Sequence, residues 1–237
     1  MNLILLFETD LIAADTAVIR DRRFQHISTV HKAEAGQSLK VGMLNGKMGT
    51  GIVTELTEQA VTLQIDLTSE PPSPLPLTML LALPRPKMLK RTLQTVTSMG
   101  VKELYLINAY RVDKSYWSSP VLHQDSIHEQ LLLGLEQAGD TQLPRVHLRK
   151  RFKPFVEDEL PAIAKDSRAL VAHPYNAATC PEPDNTPTTL AIGPEGGFIP
   201  YEVEKLQQAG LQSIHIGQRI LRVENAVPVL LSRLFPV

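Results

Sequence analysis

The chain has 237 residues, 43% hydrophobic and 21% charged, so it is long enough for one large domain or two smaller ones and has a globular composition. No run of roughly 18 apolar residues is present, and the single cysteine, Cys180, excludes an internal disulfide and a cysteine-based metal cluster. The apolar start lacks the basic region and cleavage site of a signal peptide, so we expect a cytosolic protein.

The net charge of −1 conceals an uneven distribution of charge along the chain. Residues 71–155 carry 12 Lys and Arg against 6 Asp and Glu, whereas residues 1–70 carry 6 against 9 and residues 156–237 carry 6 against 10. A basic segment between two acidic ones is typical of a localised phosphate-binding face, and also of a solvated helical surface. Charge alone leaves both interpretations open.

The first 70 residues carry the pattern of a small β-rich domain. The predicted elements are an apolar strand at 3–9, a helix at 22–33, a hairpin around Asn45-Gly46 and a strand of alternating apolar and polar residues at 60–67. Several short strands and one helix in this length predict a small β-barrel. A proline-rich linker at 71–76 follows, because proline fixes φ and removes backbone donors.

Beyond the linker, at 77–237, predicted strands alternate with predicted helices. The strands are expected at 78–84 and 103–108, at 168–174 and 188–197, where each ends in a turn, and at 213–217. The helices are expected at 88–99, 126–138, 200–209 and 223–234. A capping box of Ser126 and Glu129 indicates where the second of these helices begins. The alternation predicts an α/β domain with a mostly parallel sheet, which binds ligands beyond the carboxyl ends of its strands.

Three loops that follow predicted strands lie in the last third of the chain, at 172–176, 192–198 and 216–226. The middle loop contains Gly-Pro-Glu-Gly-Gly, whose glycines allow a ligand to approach the backbone closely. It is neither the dinucleotide fingerprint nor a phosphate-binding P-loop. On its own, this motif indicates either a ligand-binding turn or only a tight turn before a helix.

The segment LAIGPEGGFIPYEVEKLQQAG followed by IHIGQRILRVENA resembles the 16S rRNA (uracil-N3)-methyltransferases of the SPOUT superfamily. PRPKMLKRTLQTVTSMGVKELYLIN, EQLLLGLEQAGDTQLPRV and VAHP resemble further segments of that family, so the resemblance covers essentially the whole chain. It implies a C-terminal α/β SPOUT domain with a trefoil knot, preceded by a PUA-like β-barrel that presents RNA. The implied activity is methylation of N3 of a uridine in 16S rRNA, by resemblance uridine 1498 near the decoding region, in the assembled small subunit.

The resemblance also implies a homodimer that binds S-adenosyl-L-methionine (SAM), without a metal, in a pocket near the subunit interface. Carried over onto this chain, the cofactor-binding residues are His173, Pro174, Ile192, Gly193, Gly196, Gly197, Ile216, Gly217, Ile220, Leu221, Asn225 and Ala226. Glycine-rich turns suit this role, since an adenine edge can be bound through main-chain hydrogen bonds.

Arg222 is the residue that we expect to hold the uracil, whose ring gains negative charge as N3 loses its proton. Glu195 or Glu224 would orient that arginine or accept the proton, and the sequence does not choose between them. The structural alternative is a salt bridge between Arg222 and Glu224 at the start of a helix.

The basic segment RVHLRKRFK, residues 145–153, supplies candidate RNA contacts at Arg149, Lys150 and Arg151, and Lys87 is a fourth. The alternative for this segment is a charged strand edge that discourages aggregation. The seven histidines show no metal-ligand spacing, so no metal site is expected.

Three positions depart from the family pattern. Leu5 and Asp140 stand where the family has arginine, and Asn225 stands where it has threonine. These departures bear on which uridine is the target. They also leave open a different class of function, a non-catalytic RNA-binding or ribosome-assembly protein that keeps the methyltransferase fold.

Overall fold

A computed structural model of the protein describes residues 2–236. The chain forms two compact units, Met1–Ser73 with Leu131–Leu143, and Pro74–Gln130 with Pro144–Val237. The residues 131–143 therefore belong with the N-terminal unit, although they lie far along the chain. The functional division expected from the sequence, an RNA-presenting domain before a catalytic one, stays a prediction.

The first unit contains a six-stranded sheet and one helix of its own. Its elements are β1 (Ile4–Leu6), β2 (Leu11–Ala13), β3 (Thr16–Ile19), α1 (Arg22–Thr29), β4 (Ser38–Met43), β5 (Met48–Leu56) and β6 (Val61–Ser69). The strand order is β1-β4-β5-β6-β3-β2, in which β1 pairs with β4 in parallel and the other pairs are antiparallel. The predicted hairpin is confirmed between β4 and β5, where Asn45 has a φ of 58°.

Strand β1 places alternate side chains in two separate apolar clusters of this unit. Ile4 and Leu6 belong to the larger cluster, which also contains residues of α1 and β3–β6. Leu3 and Leu5 pack instead with Leu132, Leu135 and Met48. This period-two alternation explains why the segment is apolar on both faces. Leu5, one of the departures from the family pattern, is a fully buried core residue.

The strand order of the six-stranded sheet shows whether its two edge strands pair to close a barrel. Strands β1 and β2 stand at the two ends of the strand order, and among residues 2–236 they form no ladder with each other. Hydrogen bonding between these edge strands therefore does not close the sheet. The PUA-like assignment stays a prediction.

The second unit contains a seven-stranded sheet with helices between its strands. Its strands are β7 (Leu77–Ala82), β8 (Glu103–Ile107), β9 (Arg145–Arg149), β10 (Arg168–Ala172), β11 (Ala178–Thr179), β12 (Thr188–Ile192) and β13 (Gln212–His215). The α-helices of the remaining chain are α2 (Pro86–Ser98), α3 (Gln124–Ala138), α4 (Phe152–Pro154), α5 (Leu160–Ala164), α6 (Pro200–Gln208) and α7 (Val223–Leu234). Short 3-10 turns at Glu8–Asp10, Lys114–Ser118 and Pro120–Leu122 and a π turn at Phe155–Glu159 complete the described elements.

All pairs in the seven-stranded sheet are parallel, in the order β11-β13-β10-β12-β7-β8-β9. Every residue of the central strand β12 is buried, as expected for a parallel sheet covered on both faces. The predicted α/β class is confirmed. Within residues 2–236 no helix is both long and apolar enough to cross a bilayer.

Helix α3 differs from its prediction at its start. It begins at Gln124, so Ser126 lies inside the helix rather than capping it. The reason is the preceding 3-10 turn, after which the His123 carbonyl already accepts a hydrogen bond from the Ile127 N–H at 3.0 Å. The end is as predicted, because Gly139 follows the helix with a φ of 73°.

Candidate active site

Three loops converge at one edge of the seven-stranded sheet. Strands β13, β10 and β12 are neighbours and parallel, and their ends are in register, with Ala172 opposite both Ile192 and Ile214. The loops that follow these strands therefore leave the sheet at the same edge. They are the three loops that the sequence singled out, and this is the edge at which open α/β sheets bind ligands.

A cavity of about 330 Å³ lies among these loops and the start of α7. This volume is in the range of small-molecule sites. Its lining residues are Arg111, Ala172, His173, Pro174, Tyr175, Ile192, Gly193, Pro194, Glu195, Gly196, Gly197, Phe198, Ile214, His215, Ile216, Gly217, Arg219, Ile220, Leu221, Val223, Ala226 and Leu230. All of them belong to the second unit.

A backbone hydrogen bond and a left-handed glycine fix the conformation of the glycine-rich turn after β12. The Gly197 N–H donates to the Pro194 carbonyl at 2.7 Å, and Gly197 has a φ of 71°, which favours glycine. A Cβ at Gly193 would lie 3.0 Å from the Phe198 backbone nitrogen and 3.2 Å from its ring. Glycine at this position therefore lets the chain fold back tightly beside the cavity.

The structure brings together most of the predicted cofactor-binding residues. Eleven of the twelve line the cavity, and Asn225 is the exception. Asn225 occupies the first turn of α7, where its N–H donates to the Arg222 carbonyl at 2.9 Å. The predicted assignments stay predictions, although eleven of the residues concerned line the same cavity.

The three predicted catalytic residues occupy different positions around this site. Glu195 lines the cavity, and its Oε1 accepts a hydrogen bond from the Arg85 N–H at 3.4 Å. Arg222 and Glu224 do not line it, although they lie next to Leu221 and Val223, which do. Among the described residues, the exposed Arg222 side chain forms no ion pair, so the alternative of a bridge to Glu224 is absent here.

Among the polar lining residues that the sequence left unassigned, Arg111 and His215 form hydrogen bonds at the cavity wall. Arg111 follows β8, and its Nη1 donates to the Gly196 carbonyl. His215 ends β13, and its Nδ1 accepts the Gly217 N–H at 3.2 Å. The interaction of Arg111 joins residues 85 positions apart. No local sequence pattern indicates such a contact, because it depends on the order of strands in the sheet.

His173 is one of the two histidines that line the cavity, and its side chain is half-buried. Burial lowers the pKa of His173 from its usual value, since it disfavours the charged imidazole. Burial therefore favours the uncharged form of the His173 imidazole. Within residues 2–236, no cluster of three His, Cys, Asp or Glu side chains is placed to hold a metal ion, and the expectation of a metal-free site stays a prediction.

None of the predicted RNA-binding residues lines the cavity. Arg149, at the end of β9, forms a two-oxygen contact from Nε to Glu159, at 2.9 and 2.7 Å. Lys150 lies 6.0 Å from the centre of the Trp117 ring, and both Lys150 and Arg151 are exposed. Lys87 is exposed in the first turn of α2. Strand β9 is at the edge of its sheet, so both interpretations of this basic segment remain compatible with the fold.

Comparisons with known proteins point to one family. A model of the RNA methyltransferase domain matches residues 71–235. The chain is 30% identical to the ribosomal RNA small subunit methyltransferase E of Treponema pallidum, over 95% of this chain and 87% of that protein. It is 23% identical to ribosomal RNA small subunit methyltransferase E 1 of Borreliella burgdorferi, over 95% and 94%. The structure of the Neisseria gonorrhoeae methyltransferase E, bound to S-adenosyl methionine, matches with a TM-score of 0.74 at 19% identity, over 97% and 95% of the two chains.

Proposed function

Because the chain belongs to the RNA methyltransferase family, we propose that it uses SAM to methylate N3 of a uridine in the ribosomal RNA of the small subunit. The target proposed from the resemblance is uridine 1498 of 16S rRNA, in the assembled subunit in the cytoplasm. Relatives that resemble the chain along almost its full length are methyltransferases of small-subunit rRNA, which supports the choice of substrate.

The observation that carries this proposal is the cavity at the carboxyl ends of β10, β12 and β13. Its glycine-rich wall suits SAM, since a Cβ added at Gly197 or Gly217 would meet no atom within 4 Å. Such a wall leaves backbone groups open to an adenine. Burial also disfavours a positive charge on the His173 imidazole, which would repel a sulfonium.

When bound, SAM supplies an electrophilic methyl group on its sulfonium. The protein has to hold the uracil with N3 aligned and stabilise the charge that develops on the ring. Arg222 suits the second task, because its exposed guanidinium precedes α7 and has no partner among the described residues. Glu195 and Glu224 remain the two candidate acceptors for the N3 proton.

The proposal includes a homodimer with the cofactor pocket near its interface. Three large apolar side chains beside the pocket are exposed in the single chain: Ile220 at 69%, Leu221 at 37% and Val229 at 37%. Ile220 and Leu221 also line the cavity. A second subunit would remove this apolar surface from water and complete the wall of the pocket.

The test combines SAM binding with methylation of small subunits purified from a strain that lacks the protein. We expect calorimetric SAM binding, and a new stop to reverse transcription at one uridine, because a methyl group on N3 blocks base pairing. Arg222→Ala should reduce methylation roughly 100-fold or more with SAM affinity nearly unchanged, as for an interaction made in the transition state. Arg233→Ala, on the same helix, is the matched control.

The two halves of this experiment separate the rival function from the enzyme. If the wild-type protein binds rRNA but does not bind SAM and does not modify the rRNA, the non-catalytic alternative is established. A methyl group on any atom other than uracil N3 would keep the enzyme class and overturn the proposed position.

A further inference from the structure

Arg111 lies at the wall of the cavity although it comes from a different part of the sheet than the three loops. It follows β8, which is separated from β12 by β7 in the strand order. Its Nη1 donates to the carbonyl of Gly196, in the middle of the glycine-rich turn. The tip of the Arg111 side chain is therefore fixed against the same turn that shapes the cavity.

The aliphatic part of the Arg111 side chain also packs closely against that turn. A Cβ at Gly196 would lie 2.8 Å from Cδ of Arg111, closer than two carbon atoms pack without a shift. Glycine at 196 therefore leaves the space in which the Arg111 side chain lies. This contact gives Gly196 a role besides that of forming the turn.

A buried carboxylate fixes the backbone next to Arg111. Glu202, in the first turn of α6, is 3% exposed, and its Oε1 accepts the Tyr110 N–H at 2.6 Å. Its Oε2 accepts the Ile199 N–H at 3.0 Å. Because α6 directly follows the glycine-rich turn, one side chain joins that turn to the segment that carries Arg111.

The guanidinium of Arg111 is thus held in place but not neutralised. It has five N–H donors, of which the Gly196 carbonyl uses one, and among the described residues no carboxylate pairs with it. A fixed cation with spare donors at a pocket wall is suited to an anion with two or more oxygens. We propose that Arg111 is an oxyanion-binding residue of this pocket, positioned by Glu202 and accommodated by Gly196.

This inference rests on the proposed function, which brings two oxyanions to the pocket: the carboxylate of the methionine part of SAM, and a phosphate beside the target uridine. Both would be bound by the same planar, bidentate chemistry. Lysine is a poorer substitute, since its ammonium lacks the fork of donors.

The experiment uses Arg111→Met, which keeps an aliphatic stem against Gly196, and three probes: SAM, 5′-methylthioadenosine and a uridine-containing RNA hairpin. If the oxyanion is the carboxylate of SAM, SAM affinity should fall roughly 10- to 100-fold, while that of 5′-methylthioadenosine, which lacks the carboxylate, stays the same. If it is a phosphate, RNA affinity should fall roughly tenfold and both small ligands should bind as before. Lys165→Met, before β10 and away from the cavity, is the control.

A second variant tests the positioning role. Glu202→Gln keeps the shape of the side chain but leaves one N–H without its acceptor, so it should weaken the same ligand as Arg111→Met, by a smaller factor. Thermal melting checks that each variant is folded, and Arg111→Lys replaces Arg111→Met if the latter is not. Equal losses for SAM and 5′-methylthioadenosine, or no loss above twofold for any probe, would overturn the inference. Failure of the wild type to bind SAM would instead overturn the proposed function.

Discussion

A buried arginine shows how single residues stabilise the N-terminal unit. The Arg23 guanidinium donates to Asp10 Oδ2 at 2.7 Å and Asp21 Oδ2 at 2.7 Å, and it lies 4.3 Å from the centre of the Phe7 ring. Burial opposes its charge, but the hydrogen bonds and charges of the two carboxylates outweigh burial and raise the pKa of Arg23. Arg23, although basic, is therefore part of the core.

Removing this arginine should destabilise the protein. Arg23→Met leaves the buried Asp10 carboxylate without its partner, so we expect the free energy of unfolding to fall by about 3–5 kcal/mol. Denaturant unfolding measures it, with the exposed Arg20→Met as a control that should change stability by less than about 0.5 kcal/mol. If Asp10→Leu in the same chain restores part of the loss, the uncompensated carboxylate is the cause. A loss below about 1 kcal/mol would show that the network contributes little.

Sequence patterns predict which residues are buried better than they predict which residues contact each other. The uninterrupted apolar run of the first strand indicates that both of its faces are buried, and all four residues from Leu3 to Leu6 are buried. The same pattern cannot show that Leu5 packs against Leu132 and Leu135, which are distant in the sequence. Arg111 was missed for the same physical reason, since its partner comes from a loop that only the assembled sheet brings near.

At the scale of elements, hydrophobic periodicity and the residues that begin or end helices predicted most strands and helices of the second unit. Strands β7, β8, β10, β12 and β13 and helices α2, α6 and α7 lie within a few residues of their predicted ranges. The misses are short elements, such as the two-residue strand β11 and the mixed helical segment Phe152–Ala164. Such pieces carry too few residues for a period to develop, and their conformation depends on tertiary contacts.

Helix α7 buries its main apolar face within its own chain. The buried residues of this face are Val223, Val227, Leu230, Leu231 and Leu234. The exposed apolar residue of this helix is Val229, on another face. The helix also continues through Pro228, which cannot donate a hydrogen bond to the Glu224 carbonyl.

The basic segment at the end of β9 should divide into two parts in RNA binding. Arg149 is occupied by Glu159, whereas Lys150 and Arg151 are exposed, so we expect only the latter two to bind phosphates. Lys150→Gln with Arg151→Gln should lower the log–log salt slope of RNA affinity by about 1.4–1.8, from 0.7–0.9 per contact. Arg149→Gln, the matched control, should leave the slope unchanged. An unchanged slope in the double variant would establish the charged-edge interpretation.

For the whole molecule, sequence patterns predicted that the chain divides into two units, but not which residues belong to each unit. The linker region marks the change from a β-rich to an α/β pattern, and the observed division at Ser73 falls within it. The assignment of Leu131–Leu143 to the first unit was not predictable, because helix α3 has one continuous pattern across Gln130 and Leu131. Its second half is distinguished by tertiary contacts, namely the packing of Leu132 and Leu135 with Leu3 and Leu5 and the ion pair between Glu136 and Arg22 at 2.7 Å.

The proposed homodimer yields a test of assembly and ligand binding together. Val229→Glu places a charge on the exposed apolar surface of α7, one residue from Leu230, which lines the cavity. Burying an unpaired charge in an interface is costly, so this variant should sediment as a species of about 26.3 kDa while the wild type has about twice that mass. Ile52→Glu, at an exposed apolar position of β5 in the other unit, should leave the dimer intact.

The same pair of variants shows whether the second subunit contributes to the pocket. If it covers Ile220 and Leu221, the monomeric Val229→Glu variant should bind SAM more weakly than the wild type, and Ile52→Glu should bind it normally. Subunit association and SAM binding would stabilise each other. The sedimentation mass and the SAM affinity of the wild type should therefore change over the same range of protein concentration. A wild type that stays at 26.3 kDa at micromolar concentration would contradict the dimer. A monomeric variant with full SAM affinity would place the cofactor pocket within a single chain.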